Sequence, residues 1–155
     1  MNIKYRKVDD KTRAEGHWFY PLLQVFIRHR IDMRPILALV DSGAADCVFS
    51  ASLGEVLGID VPSGKPHRFH AFNLQETQGF IHSVHLQVSG YSHWIEVDAV
   101  FIESEALPIL SKAFSKAIKL SLNDSGVSLK STLKRTLSFE IDGDMVGDVK
   151  RQTWS

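Results

Sequence analysis

The residues with the clearest chemical potential are Asp41, Ser42 and Gly43, which directly follow a run of apolar side chains at positions 36–40. An uninterrupted apolar run of this kind is typical of a strand that is buried on both faces. Asp, Ser and Gly are turn formers, so we expect a sharp loop over residues 41–45. The strand would deliver the Asp41 carboxylate into a site sheltered from water, where a carboxylate can act as a general acid or base.

A longer pattern surrounds this turn and reads Leu39-Val40-Asp41-Ser42-Gly43-Ala44-Ala45-Asp46-Cys47-Val48. It resembles the active-site signature of retropepsin-like (retroviral-type) aspartic peptidases. That signature is an apolar residue, then Asp-Thr/Ser-Gly-Ala, two variable residues, a small hydroxyl or thiol residue and an aliphatic one. The resemblance extends from about Trp18 to Leu110. An ordinary Asp-Ser-Gly turn is the alternative, and such turns rarely carry these flanking residues.

The resemblance implies a mainly β fold: a closed acid-protease β-barrel with one short helix. It also implies peptide hydrolysis by two neighbouring carboxylates that share one proton, because like charges at that distance cannot both ionise. By the resemblance, Asp41 is the catalytic carboxylate and the Ser42 hydroxyl hydrogen-bonds across a dimer to fix the loop. Gly43 allows the backbone a close approach and an unusual dihedral angle.

The ten-residue pattern occurs once in this chain, whereas two-lobed aspartic peptidases carry two such motifs. The resemblance therefore implies a symmetric homodimer in which each subunit supplies one Asp41. The expected partners are a second copy of the chain and an extended peptide or protein substrate, and no cofactor or metal is needed. A catalytically inactive relative and a peptide-binding module remain as alternatives.

Residues expected to bind substrate fall in two places. Ala44 and Asp46 follow the catalytic turn, where Asp46 could either orient a bound peptide backbone or form an ion pair that stabilises the loop. Phe72, Asn73 and Gly79 belong to a predicted flap, whose polar tip begins at Asn73 and ends at Gly79. Such a flap would close over an extended peptide and exclude water, and an ordinary exposed hairpin loop is the alternative.

Other reactive side chains are weaker candidates. Cys47 could be a nucleophile, but the sequence places no base beside it, which favours a small buried residue. His82 and His85 are three residues apart, a spacing that places them on opposite faces of a strand. The same holds for His67 and His70, so we predict no metal site.

The elements that must position Asp41 follow from the hydrophobic pattern. Residues 18–27 and 36–40 predict a hairpin that turns at residues 31–35, with Pro21 at an edge or a bulge. Ser50 is expected to cap a short helix that Gly58 ends. Further strands are predicted at residues 47–49, 67–72, 80–88, 94–102 and 107–110.

The sequence departs from the family pattern after Leu110. In the family, Gly and then Arg or Gln follow this strand, before a short helix with aromatic residues and a closing strand. Ser111 and Lys112 hold the first two positions here, and residues 113–124 have helical periodicity at best. We interpret this segment as different from the ancestral C-terminus, which in the family braces the active-site loop and contributes to dimerisation.

Composition and pattern together predict three regions: a polar N-terminal arm at residues 1–16, a peptidase domain at 17–122 and an atypical tail at 123–155 that could be disordered. The chain of 155 residues carries 18 Lys and Arg and 18 Asp and Glu. It lacks the basic excess of nucleic-acid-binding proteins, so we expect no nucleic-acid partner.

We also expect no membrane partner, since no apolar run approaches the roughly 20 residues of a membrane span. The first residues do not resemble a signal peptide. A single cysteine excludes an internal disulfide, and a cytoplasmic location is therefore the expectation.

Overall fold

The computed structural model describes residues 2–70, 76–105, 107–123, 126–129 and 140–141. The strands are β1 Asn2–Ile3, β2 Arg6–Asp9, β3 His17–Tyr20, β4 Leu22–His29, β5 Asp32–Val40, β6 Cys47–Ser50, β7 Lys65–His70, β8 Glu76–Val88, β9 Ile95–Ile102, β10 Ile109–Leu110, β11 Leu120–Asn123, β12 Gly126–Leu129 and β13 Glu140–Ile141. The helices are α1 Ala51–Val56 and α2 Lys112–Ala117, with a short 3-10 helix at Val61–Ser63. Neither described α-helix is long and apolar enough to cross a membrane.

Six strands form a closed barrel. They pair in the order β4, β5, β10, β6, β9 and β8, and the barrel closes because β8 also pairs with β4. Side chains alternate across these strands, so Leu23, Val25 and Ile27 of β4 are buried together with Val84 and Leu86 of β8. The predicted mainly β, closed-barrel fold is confirmed.

The hairpin of β4 and β5 leads into the turn that carries Asp41. A tight turn at Arg30 and Ile31 joins the two strands, and Arg30 adopts a positive φ of 55° there. The prediction of a turn at residues 31–35 was wrong, because Pro35 lies inside β5 and pairs with Phe26. Pro35 is tolerated there because, among the described strands, only β4 pairs with that part of β5.

Helix α1 follows β6 directly and lies where the sequence predicted it. The Ser50 hydroxyl caps it by accepting the Leu53 N–H at 3.2 Å. The helix packs against β9 through Gly54, where a Cβ atom would lie 2.6 Å from Val61 Cγ2 and 3.0 Å from the Phe101 ring. Gly54 therefore sets how closely the helix approaches the barrel.

Replacing Gly54 by alanine is expected to destabilise the protein by about 1–3 kcal/mol, since the added methyl group overpacks a filled core. Urea denaturation measures the change in the free energy of unfolding. The matched control is Glu55→Ala, an exposed position on the same helix, which is expected to change stability little. Equal midpoints for the Gly54 variant and the wild type would contradict this account of the packing.

The segment after Leu110 forms a helix and then strands. Ser111 caps α2 by accepting the Phe114 N–H at 3.1 Å, and Phe114 and Ile118 are buried. Strands β11 and β12 follow. The helical periodicity is confirmed for the first part of this segment, which lies in α2, whereas residues 120–123 form a strand that it did not predict. The interpretation of the segment as different from the ancestral C-terminus stays a prediction.

A second sheet brings the N-terminal residues to the chain beyond α2. β1 pairs antiparallel with β12 and parallel with β13, and β12 also pairs with β11. Ile3, Val127 and Leu129 are buried in it. This sheet therefore joins residues from the predicted arm with residues from the predicted tail, and the division into three regions stays a prediction.

Candidate active site

The turn that carries Asp41 joins β5 to β6 and holds the Asp41 side chain through its own backbone. Asp41 Oδ1 accepts the Gly43 N–H at 2.9 Å, and the Asp41 carbonyl accepts the Ala44 N–H at 3.2 Å. The Asp41 side chain is partly exposed, and Ser42 and Gly43 are exposed. One carboxylate oxygen is thus fixed while the group as a whole remains accessible.

The chain around Leu110 braces this turn. The Asp41 N–H donates to the Leu110 carbonyl at 3.1 Å, and the Lys112 N–H donates to the Ala44 carbonyl at 2.9 Å. β10 also pairs in parallel with the end of β5, with Leu110 opposite Val40. Leu110, the last residue of the resemblance, thus supports the start of the Asp41 loop, and Lys112, in the segment that departs from the family pattern, supports its end.

Ser111 extends this support to Cys47. The Cys47 thiol donates to Ser111 Oγ at 3.4 Å, and the Ser111 N–H donates to Cys47 Sγ at 3.3 Å. Both residues are buried, and burial raises the pKa of the Cys47 thiol against the opposing effect of these hydrogen bonds. A thiol that ionises less readily is a poor nucleophile, which confirms Cys47 as a small buried residue.

Replacing Ser111 by alanine is expected to cost about 1–2 kcal/mol of stability, because it removes the α2 cap and an acceptor for the Cys47 thiol. Thermal unfolding measures the loss. The control is Lys112→Ala, whose side chain is exposed and whose backbone hydrogen bond is retained. If Ser111→Ala and Lys112→Ala both have the melting temperature of the wild type, the Ser111 hydroxyl does not brace this region.

Asp46 contacts β7, the first strand of the β7–β8 hairpin. Its Oδ2 atom lies 3.1 Å from Nε2 of His67 on β7, and both side chains are partly buried. Of the two interpretations offered for Asp46, this geometry favours a stabilising ion pair. The role of Asp46 in orienting a peptide backbone stays a prediction, as does substrate contact by Ala44.

The predicted flap corresponds to the hairpin of β7 and β8, which pair along the whole of β7. Phe72 and Asn73 lie outside the described residues. Gly79 lies inside β8, paired with both neighbouring strands, and a Cβ atom there would come within 2.5 Å of Val100 Cγ1. The small size of Gly79 therefore serves strand packing, and its substrate contact stays a prediction.

The three letters Asp-Ser-Gly occur a second time, at residues 124–126, without the preceding apolar run or the following alanine. Gly126 begins β12 and pairs with Asn123 of β11. Asp124 and Ser125 lie outside the described residues. In the part of the chain that is described, Asp41 alone combines the full motif, the apolar strand and a carboxylate fixed by its own turn.

Two of the described histidines contact groups other than a metal site. His67 pairs with Asp46, and His82 Nε2 lies 2.8 Å from the Val61 carbonyl. Across the described ranges, no group of three or more His, Cys, Asp or Glu side chains is arranged to hold a metal ion.

The sequence did not reveal that residues 6–20 form a hairpin, in which β2 and β3 pair antiparallel. Directly after β3, the Pro21 carbonyl extends the β4–β5 ladder by accepting the Val40 N–H at 2.9 Å. The charged residues of β2 interrupt the alternation of apolar and polar side chains that would predict a strand. The aromatic run in β3 together with Gly16, whose φ is +75°, was the available signal for a hairpin.

Known proteins resemble this chain in sequence and in fold. A family model described as aspartyl protease matches residues 27–114, more than half of the chain. The structure of EIAV protease complexed with the inhibitor HBY-793 is 17% identical, covers 67% of this chain and 92% of its own, and gives a TM-score of 0.52.

A retropepsin-like aspartic protease from Rickettsia conorii is 16% identical, covers 79% of this chain and 83% of its own, and gives a TM-score of 0.55. No curated protein matches the chain. At these identities the two structures establish likeness of fold alone.

Proposed function

The chain belongs to the aspartyl protease family, and from this premise we propose that it is an endopeptidase that hydrolyses peptide bonds as a homodimer. Each subunit supplies one Asp41, and the two carboxylates activate a water molecule. The observation that carries this proposal is the Asp41 turn, fixed by the Gly43 N–H at 2.9 Å and braced through Leu110 and Lys112.

The proposed pair works because its two carboxylates share one proton. The ionised carboxylate removes a proton from water as the water oxygen attacks the peptide carbonyl carbon. The protonated carboxylate donates to the carbonyl oxygen, and a proton then passes to the leaving amine as the C–N bond breaks. The bond from Gly43 to Asp41 Oδ1 limits rotation of the carboxylate, which keeps it aligned for both transfers.

The homodimer follows from the single copy of the full motif in the chain. A formal net charge of zero gives little electrostatic resistance to self-association. We propose that Ser42 hydrogen-bonds across the dimer, and that Ala44, Asp46, Phe72, Asn73 and Gly79 contact an extended peptide beneath the β7–β8 hairpin. We also propose a cytoplasmic location, on the ground of the single cysteine.

Sedimentation and cleavage measured on the same sample test this proposal. We expect a dimer at high micromolar concentration and cleavage of an unfolded protein at mildly acidic pH, where one carboxylate of a pair holds a proton. Specific activity should rise with protein concentration as dimers form. A strict monomer, or a dimer that binds peptides without cleaving them, would contradict the proposal, and the second result would favour a peptide-binding module.

A further inference from the structure

An ion pair joins the loop that carries Asp41 to the edge of the sheet. Nε2 of His67 lies 3.1 Å from Oδ2 of Asp46, and the two side chains are 33% and 34% exposed. Asp46 directly precedes β6, whereas His67 lies on β7, 21 residues further along the chain. Among the described strands, β7 is the last of its sheet and pairs with β8 alone. The ion pair therefore fastens an edge strand to the Asp41 loop.

On the side of the hairpin, the charged neighbours of His67 lie along β7 and β8. Alternation places Lys65 on the same face of β7 as His67, and the Lys65 side chain is exposed. Arg68 lies on the other face, 3.5 Å from Glu76 of β8. Gly79 is directly opposite His67 in the ladder and brings no charge. Of these groups Lys65 alone shares the face of His67, and solvent screens its charge.

On the side of the loop, Asp46 shares its surroundings with other acidic groups. Asp41 lies five residues earlier, and the exposed Asp98 of β9 lies one residue before the position that pairs with Cys47. Burial raises the pKa of the Cys47 thiol, so this group stays uncharged. Lys112 of α2 carries an exposed ammonium group, and its backbone bonds the loop. Among these groups carboxylates outnumber cations, which favours a positively charged partner for Asp46.

The strength of this link depends on the proton of the imidazole ring. Histidine is the side chain whose charge changes between about pH 5 and pH 8. A hydrogen bond between ionised groups is roughly twice as strong as one between neutral groups. The link is therefore strongest where the His67 ring holds its proton and the Asp46 carboxylate has lost its own. It weakens as the pH rises and His67 becomes neutral, and also in strong acid, where Asp46 gains a proton.

We propose that His67 is a positioning residue whose charge controls how firmly the β7–β8 hairpin is held on the Asp41 loop. In the charged state, the ion pair holds β7 and Asp46 together before a peptide arrives, so less ordering remains to be done on binding. In the neutral state the hairpin is held less firmly, and peptides bind more weakly. That a peptide binds beneath this hairpin and is cleaved there rests on the proposed function.

Peptide binding to the full-length Asp41→Asn protein tests the role of His67 without requiring cleavage. The probe is a fluorescein-labelled extended peptide of serine and alanine with a central phenylalanine, and its fluorescence anisotropy gives the dissociation constant. At mildly acidic pH, His67→Gln should weaken binding roughly two- to fivefold, the range that a partly exposed ion pair supplies. At about pH 8 the same change should have little effect. The control is His85→Gln, at a partly buried histidine of β8, which should bind like its parent at both pH values.

His67→Lys separates the charge from the shape of the ring. Lysine stays positively charged at about pH 8, and its flexible stem can reach the same carboxylate oxygen. At this pH, His67→Lys should therefore bind the peptide roughly two- to fivefold more tightly than its parent.

Hydrogen exchange of the free protein tests the link without any peptide. At mildly acidic pH, the protection of the β7 amides should fall roughly two- to fivefold in His67→Gln and in Asp46→Asn. It should fall no further in the double variant, because either change removes the same ion pair. The amides of β4, inside the closed barrel, are the internal reference and should keep their protection.

The outcomes separate the link from the proposed function. If the wild type cleaves an unfolded protein but His67→Gln changes neither the affinity nor the β7 protection, the link is overturned and the peptidase stands. If the β7 protection changes as expected but the wild type neither binds nor cleaves peptides, the link stands and the peptidase is contradicted. An equal loss of affinity at both pH values would show that the ring acts by packing, and tighter binding by His67→Gln would show that His67 competes with the peptide. Either result overturns the proposal.

Discussion

Asp41→Asn is expected to reduce cleavage of an unfolded protein at mildly acidic pH by at least about 10³-fold, since it removes an acid–base group from both halves of the proposed dimer. Asparagine has nearly the same size and keeps an oxygen that can accept the Gly43 N–H. Its amide cannot serve as the general acid or base that the reaction needs. The loss should therefore appear in kcat/KM without a matching loss of stability.

Asp98→Asn is the control for the Asp41 variant. Asp98 lies at an exposed position of β9 and has no proposed role in the site. Surface substitutions of this kind change stability by less than about 0.5 kcal/mol, so this variant should retain most of the activity. Equal loss of activity in the two aspartate variants, or full activity in Asp41→Asn, would show that Asp41 is not the catalytic carboxylate.

Mixing the two proteins extends the same experiment to the proposed dimer. With a threefold excess of Asp41→Asn subunits and free exchange, activity per wild-type subunit should fall to about one quarter, the fraction that still pairs with a second wild-type subunit. Mixed dimers retain a single carboxylate and cannot form the pair. Activity per wild-type subunit that stays constant would mean that each subunit works alone.

The sequence predicted the part of this site that is local along the chain. The apolar run before Asp41 gives β5, and Ser50 gives the cap of α1, because neighbouring residues decide both features. The turn before β5 was misplaced because Ile31 and Pro35 suggested a break over residues 31–35. In the structure Ile31 is 95% exposed in a tight connection, and Pro35 is accommodated within an edge segment of β5.

Features that depend on distant partners could not be predicted from the pattern. Arg6 appeared to belong to a polar arm, yet it is fully buried in β2. Ile3 finds its strand partner at Val127, which no local periodicity reveals. Ser111 looked like a defect in the family pattern, and its hydrogen bonds to Cys47 and α2 become visible only once the barrel has closed.

Phe114→Ala is expected to destabilise the protein by about 3–5 kcal/mol, as deletion of a buried aromatic ring leaves a cavity that the core cannot fill. Phe114 is buried in the core and lies on α2, which packs against β9 and β11. For a chain of this size the melting temperature should fall by roughly 10 °C. Urea denaturation and thermal melting both measure the effect.

Activity should be lost along with this stability, at temperatures where the wild type is still folded. α2 begins at Lys112, whose backbone N–H holds the Ala44 carbonyl, and it follows Leu110, which holds the Asp41 N–H. Lys116→Ala, at an exposed position of the same helix, is the control and should change stability by less than about 0.5 kcal/mol. If Phe114→Ala melts like this control, the chain after Leu110 is not part of the core, and the hydrogen bonds that brace the Asp41 turn do not depend on it.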